Sequence, residues 1–210
     1  MGMTITNRQF ALIAGAGYVG IFFAAIFANF VVLDGIKAEP LMMVVAHEQQ
    51  VRIGAMAFLV AAVCDVLVAW ALFHMYARHA FSTVSTYFRI MHAAIMGAAV
   101  YALLAATAET TAEGVLAQVS IFDSLWLIGL FFFGVHLLFL SRIVRQIRFI
   151  PYMLAAAGVM YIVDTTAQFT YLSYAAHADL FLTLVAIPSI LGEMSFAIWL
   201  LWRGGKVSAE

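Results

Sequence analysis

The stretch SIFDSLWLIGLFFFGVHLLFLS, from Ser120 to Ser141, decides the fold of this chain. Its length matches the roughly 20 apolar residues that a helix needs to cross a bilayer. Asp123 near one end and His136 near the other are its two ionisable residues. Because lipid cannot hydrate a charge, such residues normally face a protein interior or a wet cavity and mark a functional site. The stretch therefore predicts a membrane-spanning helix that contributes polar side chains to a bundle.

The composition extends this prediction to the whole chain. Of its 210 residues 66% are hydrophobic and 10% are charged, and the mean hydropathy is +1.04. This leaves too little polar surface to coat a water-soluble globule, so the lipid bilayer is the expected surrounding. The formal net charge is −1 and the ten basic residues are scattered, which argues against a nucleic-acid partner. Cys64 is the single cysteine, so an intrachain disulfide is excluded.

Six apolar segments of spanning length follow one another along the chain. They cover residues 10–33, 53–76, 83–106, 121–141, 151–174 and 180–202. No soluble domain, linker or low-complexity tract separates them. The sequence therefore predicts an all-α fold, a six-transmembrane-helix bundle that forms a single membrane domain over residues 1–210.

Charges at the connections predict the orientation of this bundle. Basic residues flank the N-terminus, the second and fourth connections and the C-terminus, and they are Arg8, Arg78, Arg142, Arg145, Arg148, Arg203 and Lys206. The other connections carry mainly acidic residues, with Lys37 and Arg52 as exceptions. Basic residues accumulate on the cytoplasmic side of membrane proteins, so both termini are predicted to be cytoplasmic.

Ionisable residues recur at similar depth in five of the segments. Counting about 1.5 Å per residue from the cytoplasmic end of each segment places them about 8 to 20 Å into the membrane. They are Asp65, Arg89, His92, His136, Asp164 and Glu193. A charge left unpaired at mid-membrane costs at least about 2.5 to 3.5 kcal/mol. Ionisable residues with unrelated roles would not be expected to lie at one common depth. The six residues are therefore predicted to form a polar centre that binds a ligand or relays protons.

Arg89 sets the requirements of this centre. An arginine is always charged and needs a carboxylate, and Asp65 and Glu193 are the best candidates by depth. His92 lies three residues after Arg89 and therefore shares its helix face. A buried ion pair of this kind can also simply hold helices together. Three carboxylates against one arginine, however, leave an excess of acid, which favours protonation, a bound cation or a small-molecule ligand.

A second polar group is predicted toward the outer ends of the first, second and fourth segments. It consists of Asn29, Arg52 and Asp123, and its simplest arrangement is an ion pair of Arg52 with Asp123 that closes the outer side. The longest connection, residues 34–52, is predicted to form a short helix over the same side. This outer group is interpreted as structural.

Five stretches of the chain resemble a known family. They are CDVLVAWALF (Cys64 to Phe73), YFRIMHAAI (Tyr87 to Ile95), FDSLWLIGLFFFGVHLLFL (Phe122 to Leu140), IPYMLAAAGVMYIVDTTAQF (Ile150 to Phe169) and IPSILGEMSFAIWLL (Ile187 to Leu201). The chain is similar there to the bacterial membrane family called domain of unknown function DUF4386. The resemblance implies a six-helix fold in the bacterial inner (cytoplasmic) membrane and implies no activity. Its polar pattern falls on Asp65, Arg89, Asp123, His136, Asp164 and Glu193. Gln168 stands where the family pattern has a histidine, which weakens a metal site there.

Four functions remain open from the sequence. A carrier or binding protein for a small molecule, proton or ion is favoured by the acidic excess and by Pro188, which predicts a kink close to Glu193. A haem-binding redox protein would use His92 and His136 as axial ligands. A metal-dependent intramembrane hydrolase would use His136 with acidic ligands, although no HExxH-like spacing supports it and no metal site is predicted. A sensory or scaffold protein would use the polar centre only for structure. The oligomeric state does not follow from the sequence.

Overall fold

Six long helices make up most of the computed structural model, which describes residues 5–145 and 148–206. Within those residues six helices are long and apolar enough to cross a membrane, and no strand occurs. Span 1 is Asn7–Ala38, span 2 is Glu48–Met75, span 3 is Ser82–Ala106, span 4 is Ala112–Ile143, span 5 is Phe149–Thr170 and span 6 is Tyr174–Trp202. This confirms the predicted all-α, six-helix membrane fold.

Some spans extend well beyond the apolar segments that predict them. Span 4 begins at Ala112 rather than near residue 121, and Thr111 caps it by accepting a hydrogen bond from the Gly114 N–H at 3.1 Å. Its 32 residues correspond to about 48 Å, well over the roughly 30 Å of the hydrocarbon layer. Span 2 begins at Glu48, so Arg52 lies inside the helix rather than at its start. Hydropathy marks the part of a helix that lies in lipid, whereas capping and polar residues decide where the helix ends.

The order of packing follows the order of the sequence. Each span packs on its neighbours along the chain, and span 1 also packs on span 6, which closes the six into a ring. Arg8 ties these two spans together, because its guanidinium donates to the carbonyl oxygens of Leu200 and Gly204 at 2.9 Å each. Both ends of the described chain therefore lie on one side. The predicted short helix in the first connection is present as Pro40–Val45, and it packs on spans 2 and 4.

Two spans contain a wide helical turn. In span 1 it is the π-helical segment Phe27–Leu33, and in span 6 it is Ile190–Met194. The second follows Pro188, which has no N–H to donate and whose ring crowds the carbonyl one turn earlier. A π-turn absorbs such a disturbance without breaking the helix, and π-turns are frequent at functional sites. The predicted irregularity at Pro188 thus takes this form and places Glu193 within the wide turn.

Spans 4 and 5 touch through a pair of glycines. A Cβ atom added at Gly158 would lie 2.7 Å from the carbonyl oxygen of Gly134, and one added at Gly134 would lie 2.7 Å from the carbonyl oxygen of Gly158. Real Cβ atoms do not approach an oxygen so closely, so two backbones meet here that any side chain would separate. Small residues allow such close contact between membrane helices, where the packing of atoms rather than a hydrophobic force drives association.

Replacing one glycine of this pair is expected to destabilise the bundle. Gly158→Ala introduces a methyl group against backbone and should cost about 1 to 3 kcal/mol, the usual effect of overpacking. Gly97→Ala is the matched control, because apart from the backbone of its own helix no described atom lies within 4 Å of the added methyl group, and alanine should gain up to about 1 kcal/mol of helix propensity. Reversible unfolding in detergent micelles measures both. Equal stability of the two variants would show that the close contact does not exist.

Candidate functional site

Arg89 lies at the centre of the ring, on span 3, and is completely buried. One terminal nitrogen lies 2.6 Å from Oδ1 of Asp65 on span 2, and the other donates to the Tyr18 hydroxyl of span 1 at 2.7 Å. The guanidinium also stacks over the ring of Tyr18, at 4.6 Å from its centroid, and lies 5.3 Å from that of Phe133. Of the two carboxylates that depth made candidates, Asp65 is therefore the one that pairs with Arg89.

His136 on span 4 completes the surroundings of Arg89. Its Nδ1 lies 2.9 Å from the Ser85 carbonyl oxygen, and its Nε2 lies 3.3 Å from a terminal nitrogen of Arg89. A carbonyl only accepts hydrogen bonds and a guanidinium only donates them. The hydrogen-bond partners therefore assign the proton to Nδ1 and leave Nε2 as the acceptor, which makes His136 a neutral imidazole.

His92 lies on the other side of the ion pair. Its Nε2 is 3.5 Å from Oδ2 of Asp65, and its ring packs on Phe133 at 4.8 Å between centroids. Its Nδ1 is buried and has no hydrogen-bond partner within the described residues, and the same is true of Nε of Arg89. Buried polar atoms are nearly always hydrogen-bonded, so these two nitrogens mark places where the network is incomplete.

Glu193 lies beside this network without joining it. It is partly buried within the wide turn of span 6. Arg89 acts on it electrostatically as an attracting charge and Asp65 as a repelling one. In the described ranges 5–145 and 148–206 its carboxyl group has neither an ion pair nor a hydrogen bond. The structure thus places an uncompensated carboxyl group next to an ion pair that already balances its own charge.

Asp164 lies apart from this cluster, although its depth in the membrane predicts that it belongs to the polar centre. Its Oδ1 accepts a hydrogen bond from the Tyr174 hydroxyl at 2.6 Å, and its Oδ2 one from the Gln168 amide at 3.4 Å. Tyr174 begins span 6, so this contact joins the outer ends of spans 5 and 6. The depth of a residue in the membrane does not tell in which direction its side chain points from the helix axis. The carboxyl group of Asp164 binds residues toward the outer end of span 5.

The outer polar group requires a correction. Arg52 pairs with Glu48, four residues earlier on the same helix, at 2.6 Å, and Asp123 pairs with Lys37 at 2.9 Å. The predicted ion pair of Arg52 with Asp123 is therefore wrong. Arg52 has a partner one turn away because span 2 begins at Glu48, before the predicted boundary. Asn29 joins neither pair, since its amide donates to the Ala25 carbonyl oxygen at 2.9 Å.

Sequence reasoning missed three polar residues that complete the centre. Tyr18 and Ser85 bond directly to Arg89 and His136, and the ring of Tyr161 on span 5 packs on Phe133 at 5.6 Å between centroids. Neither tyrosine nor serine is charged at neutral pH, so a search for ionisable residues passes over them. Ser85 does carry a signal: Ser82, Ser85 and Arg89 recur at helical spacing and so share one face of span 3.

Two of the open functions fit this geometry poorly. A haem held by His92 and His136 does not fit, because an axial ligand needs a free ring nitrogen and both nitrogens of His136 are hydrogen-bonded. A hydrolytic metal centre needs about three protein ligands. Nowhere in the described part of the chain do three His, Cys, Asp or Glu side chains come together in a way that could hold a metal ion.

Six spanning helices around a buried ion pair define this chain as a multi-pass membrane protein with an ionisable centre. It belongs to the family described as Domain of unknown function (DUF4386), which matches residues 13–204, and this confirms the resemblance seen in the sequence. The chain is also similar to a protein of Archaeoglobus fulgidus described as "Uncharacterized protein". The two are 30% identical over 152 residues, which is 70% of this chain and 80% of that protein. No solved structure matches the chain.

Proposed function

We propose that this protein is a proton-linked carrier of the bacterial cytoplasmic membrane, with both termini cytoplasmic and Glu193 as its proton-binding group. One observation carries the proposal. Glu193 is a carboxyl group inside the bundle that has no cationic partner in the described part of the chain, whereas the neighbouring Arg89 already has Asp65 at 2.6 Å. Ionisable residues with this placement are typical of proton relays in pumps and transporters.

The charges of the centre explain why Glu193 would hold a proton. Arg89 and Asp65 together carry no net charge, and His136 is neutral in its hydrogen-bonding pattern. An ionised Glu193 would be an excess negative charge inside the membrane, at a cost of roughly 2.5 to 3.5 kcal/mol or more. Taking up one proton removes this cost. A Glu193 without a cationic partner would therefore hold a proton.

Loss of that proton would give Arg89 a second carboxylate to bind. The charge of Arg89 lies close enough to act on an ionised Glu193, and Nε of Arg89 has no acceptor among the described residues. An ionised Glu193 on span 6 would compete with Asp65 on span 2 for the guanidinium of Arg89. The protonation of Glu193 would then be coupled to the position of span 6. The wide turn Ile190–Met194 after Pro188 supplies the place where span 6 can adjust.

Infrared spectroscopy of the protein in lipid tests the proton-binding group directly. At neutral pH a protonated carboxyl group should give a carboxylic-acid carbonyl band that shifts in D2O and disappears at high pH. The band should be lost in Glu193→Gln and kept in Glu113→Gln, because Glu113 is an exposed carboxylate in the first turn of span 4. A band that is missing from the wild type, or unchanged in Glu193→Gln, would contradict the proposal.

A structural role for the polar centre is the second candidate, and the closed hydrogen bonding around Arg89 favours it. The guanidinium links spans 1, 2, 3 and 4 through Tyr18, Asp65 and His136. Such a network can hold membrane helices together without any transport. A scaffold moves no protons, so proton uptake by proteoliposomes containing the wild type or Glu193→Gln, rather than the infrared band alone, separates the two functions.

A further inference from the structure

A groove lies on the lipid-facing surface between spans 4 and 5. It measures about 260 Å³ in the volume open to the centre of a water-sized sphere, about twenty times the room that a single water molecule needs. Ile128 and Phe169 on its two sides are 38% and 56% exposed, so the groove is open to the surrounding lipid. Its wall consists of seven residues, which are Ile128, Phe131 and Phe132 of span 4 and Thr165, Thr166, Phe169 and Thr170 of span 5.

The groove lies in the outer half of the bundle. Span 5 begins at Phe149 on the side of both chain ends, and Thr165 to Thr170 come about 24 to 32 Å further along this helix. On the inner side of the groove the backbones of spans 4 and 5 touch at Gly134 and Gly158. Farther out, larger side chains of the two helices leave this groove between them. The charges at the connections predict that this half lies in the outer leaflet of the membrane.

The threonines of the wall have already used their hydrogen-bond donors. The Thr165 hydroxyl donates to the Leu127 carbonyl oxygen of span 4 at 3.2 Å. The hydroxyls of Thr166 and Thr170 each donate at 2.7 Å to the carbonyl oxygen four residues earlier on their own helix. A hydroxyl has one hydrogen, and the other four wall side chains are hydrocarbon. A polar ligand would lose its hydration here without gaining a donor, so the groove favours an apolar occupant.

The size of the groove distinguishes between two apolar occupants, a lipid chain and a second copy of this protein. A stable protein–protein interface takes about 20 to 30 residues on each side, whereas seven residues form this wall. A phospholipid acyl chain is narrow, flexible and apolar, and such chains surround the spans of a membrane protein. In the groove a chain contacts two helices at once, and packing contacts of this kind drive association inside a membrane. The groove therefore fits one acyl chain better than a second bundle.

We propose that this groove binds one acyl chain of a phospholipid from the outer leaflet. The chain lies between spans 4 and 5 and fills the space beyond their glycine contact, and the headgroup of the lipid stays at the membrane surface. The site is independent of the proposed proton movement, because none of its seven wall residues belongs to the network around Arg89 or contacts Glu193 in the described part of the chain.

Photo-crosslinking tests the site. The protein is reconstituted with phosphatidylethanolamine that carries a diazirine group within one acyl chain, extracted into a mild detergent, washed free of loosely held lipid and then irradiated. Mass spectrometry should find one lipid per protein chain, attached within residues 128–132 or 165–170. Absence of retained lipid, or lipid attached evenly to all six spans, would overturn the proposal.

Filling the groove should remove this lipid. Thr166→Phe places an aromatic ring in the wall, so the crosslinked lipid should be lost. Thr183→Phe on span 6 is the matched control, because both threonines are exposed and both hydroxyls donate to a carbonyl oxygen of their own helix, at 2.7 and 2.8 Å. Thr183 lies outside the groove, so this variant should retain the lipid like the wild type. Equal retention by the two variants would contradict the assignment of the groove.

A second pair of variants keeps the test decisive if Thr166→Phe does not fold. Phe169→Ala removes one side of the wall and should lower the amount of retained lipid. Phe23→Ala is its control, because Phe23 is a similarly exposed phenylalanine on span 1, outside the groove. Native mass spectrometry of the same samples identifies the occupant. A dimer without bound lipid that Thr166→Phe or Phe169→Ala dissociates would assign the groove to a second copy and overturn the proposal.

Discussion

Glu193→Gln is expected to abolish proton movement through the protein. Glutamine has nearly the same size as glutamate and can still form hydrogen bonds, but it cannot take up or release a proton. If Glu193 is the proton-binding group, every proton that crosses must be held there once. Proteoliposomes that contain a fluorescent pH indicator measure the effect, with an inward proton flow driven by a potassium gradient and valinomycin. The variant should acidify at the rate of empty liposomes.

The control for this experiment must also remove one carboxylate. Glu113→Gln changes the net charge in the same way on an exposed part of span 4 and should acidify like the wild type. The folding of both variants is checked by size-exclusion chromatography and thermal unfolding. A Glu193→Gln protein that folds and still moves protons at the wild-type rate would end the assignment of Glu193.

Breaking the buried ion pair is expected to have the largest effect on stability. Arg89 and Asp65 have side chains that are only 1% and 4% exposed. Removing one partner leaves the other as an unpaired charge inside the membrane, so Arg89→Leu and Asp65→Leu should each cost about 3 to 5 kcal/mol. The double variant leaves no such charge, and its loss should be clearly smaller than the sum of the two. Reversible unfolding in micelles gives the coupling energy of this cycle.

The pair of Arg52 with Glu48 provides a matched comparison. It has the same 2.6 Å separation, but its side chains are 53% and 44% exposed. An exposed pair is weakened by water, so the same cycle with alanine substitutions should give a coupling of at most about 1 kcal/mol. Additive losses for Arg89 and Asp65 would mean that the two side chains do not depend on each other, against the contact seen here.

The membrane fold could be predicted almost completely from the sequence, and the boundaries of its helices less well. Lipid offers no hydrogen bonds to the backbone, so an apolar segment of spanning length has to be helical. The start of span 2 at Glu48 was missed, because a polar turn outside the lipid leaves no mark in hydropathy. That single shift also explains the wrong partner predicted for Arg52, since its true partner lies in the missed turn.

The candidate site could be predicted in part. The need of a buried arginine for a carboxylate singled out Asp65 and Glu193, but the choice between them depends on how spans 2 and 6 are rotated about their axes. That rotation is set by packing across the bundle and cannot be predicted from the sequence of one helix alone. For the same reason depth could not show that Asp164 binds Tyr174 rather than the centre.

By itself the sequence determined that this chain has six segments able to cross a membrane and that several of them carry ionisable groups. Both conclusions depend on the cost of placing polar groups in hydrocarbon, which acts on each segment separately. Only the tertiary structure decided that Arg89 is neutralised by Asp65 and that Glu193 has no ion-pair or hydrogen-bond partner in residues 5–145 and 148–206. Pairing depends on distances of a few ångströms between different helices, and these exist only once the ring of spans has closed.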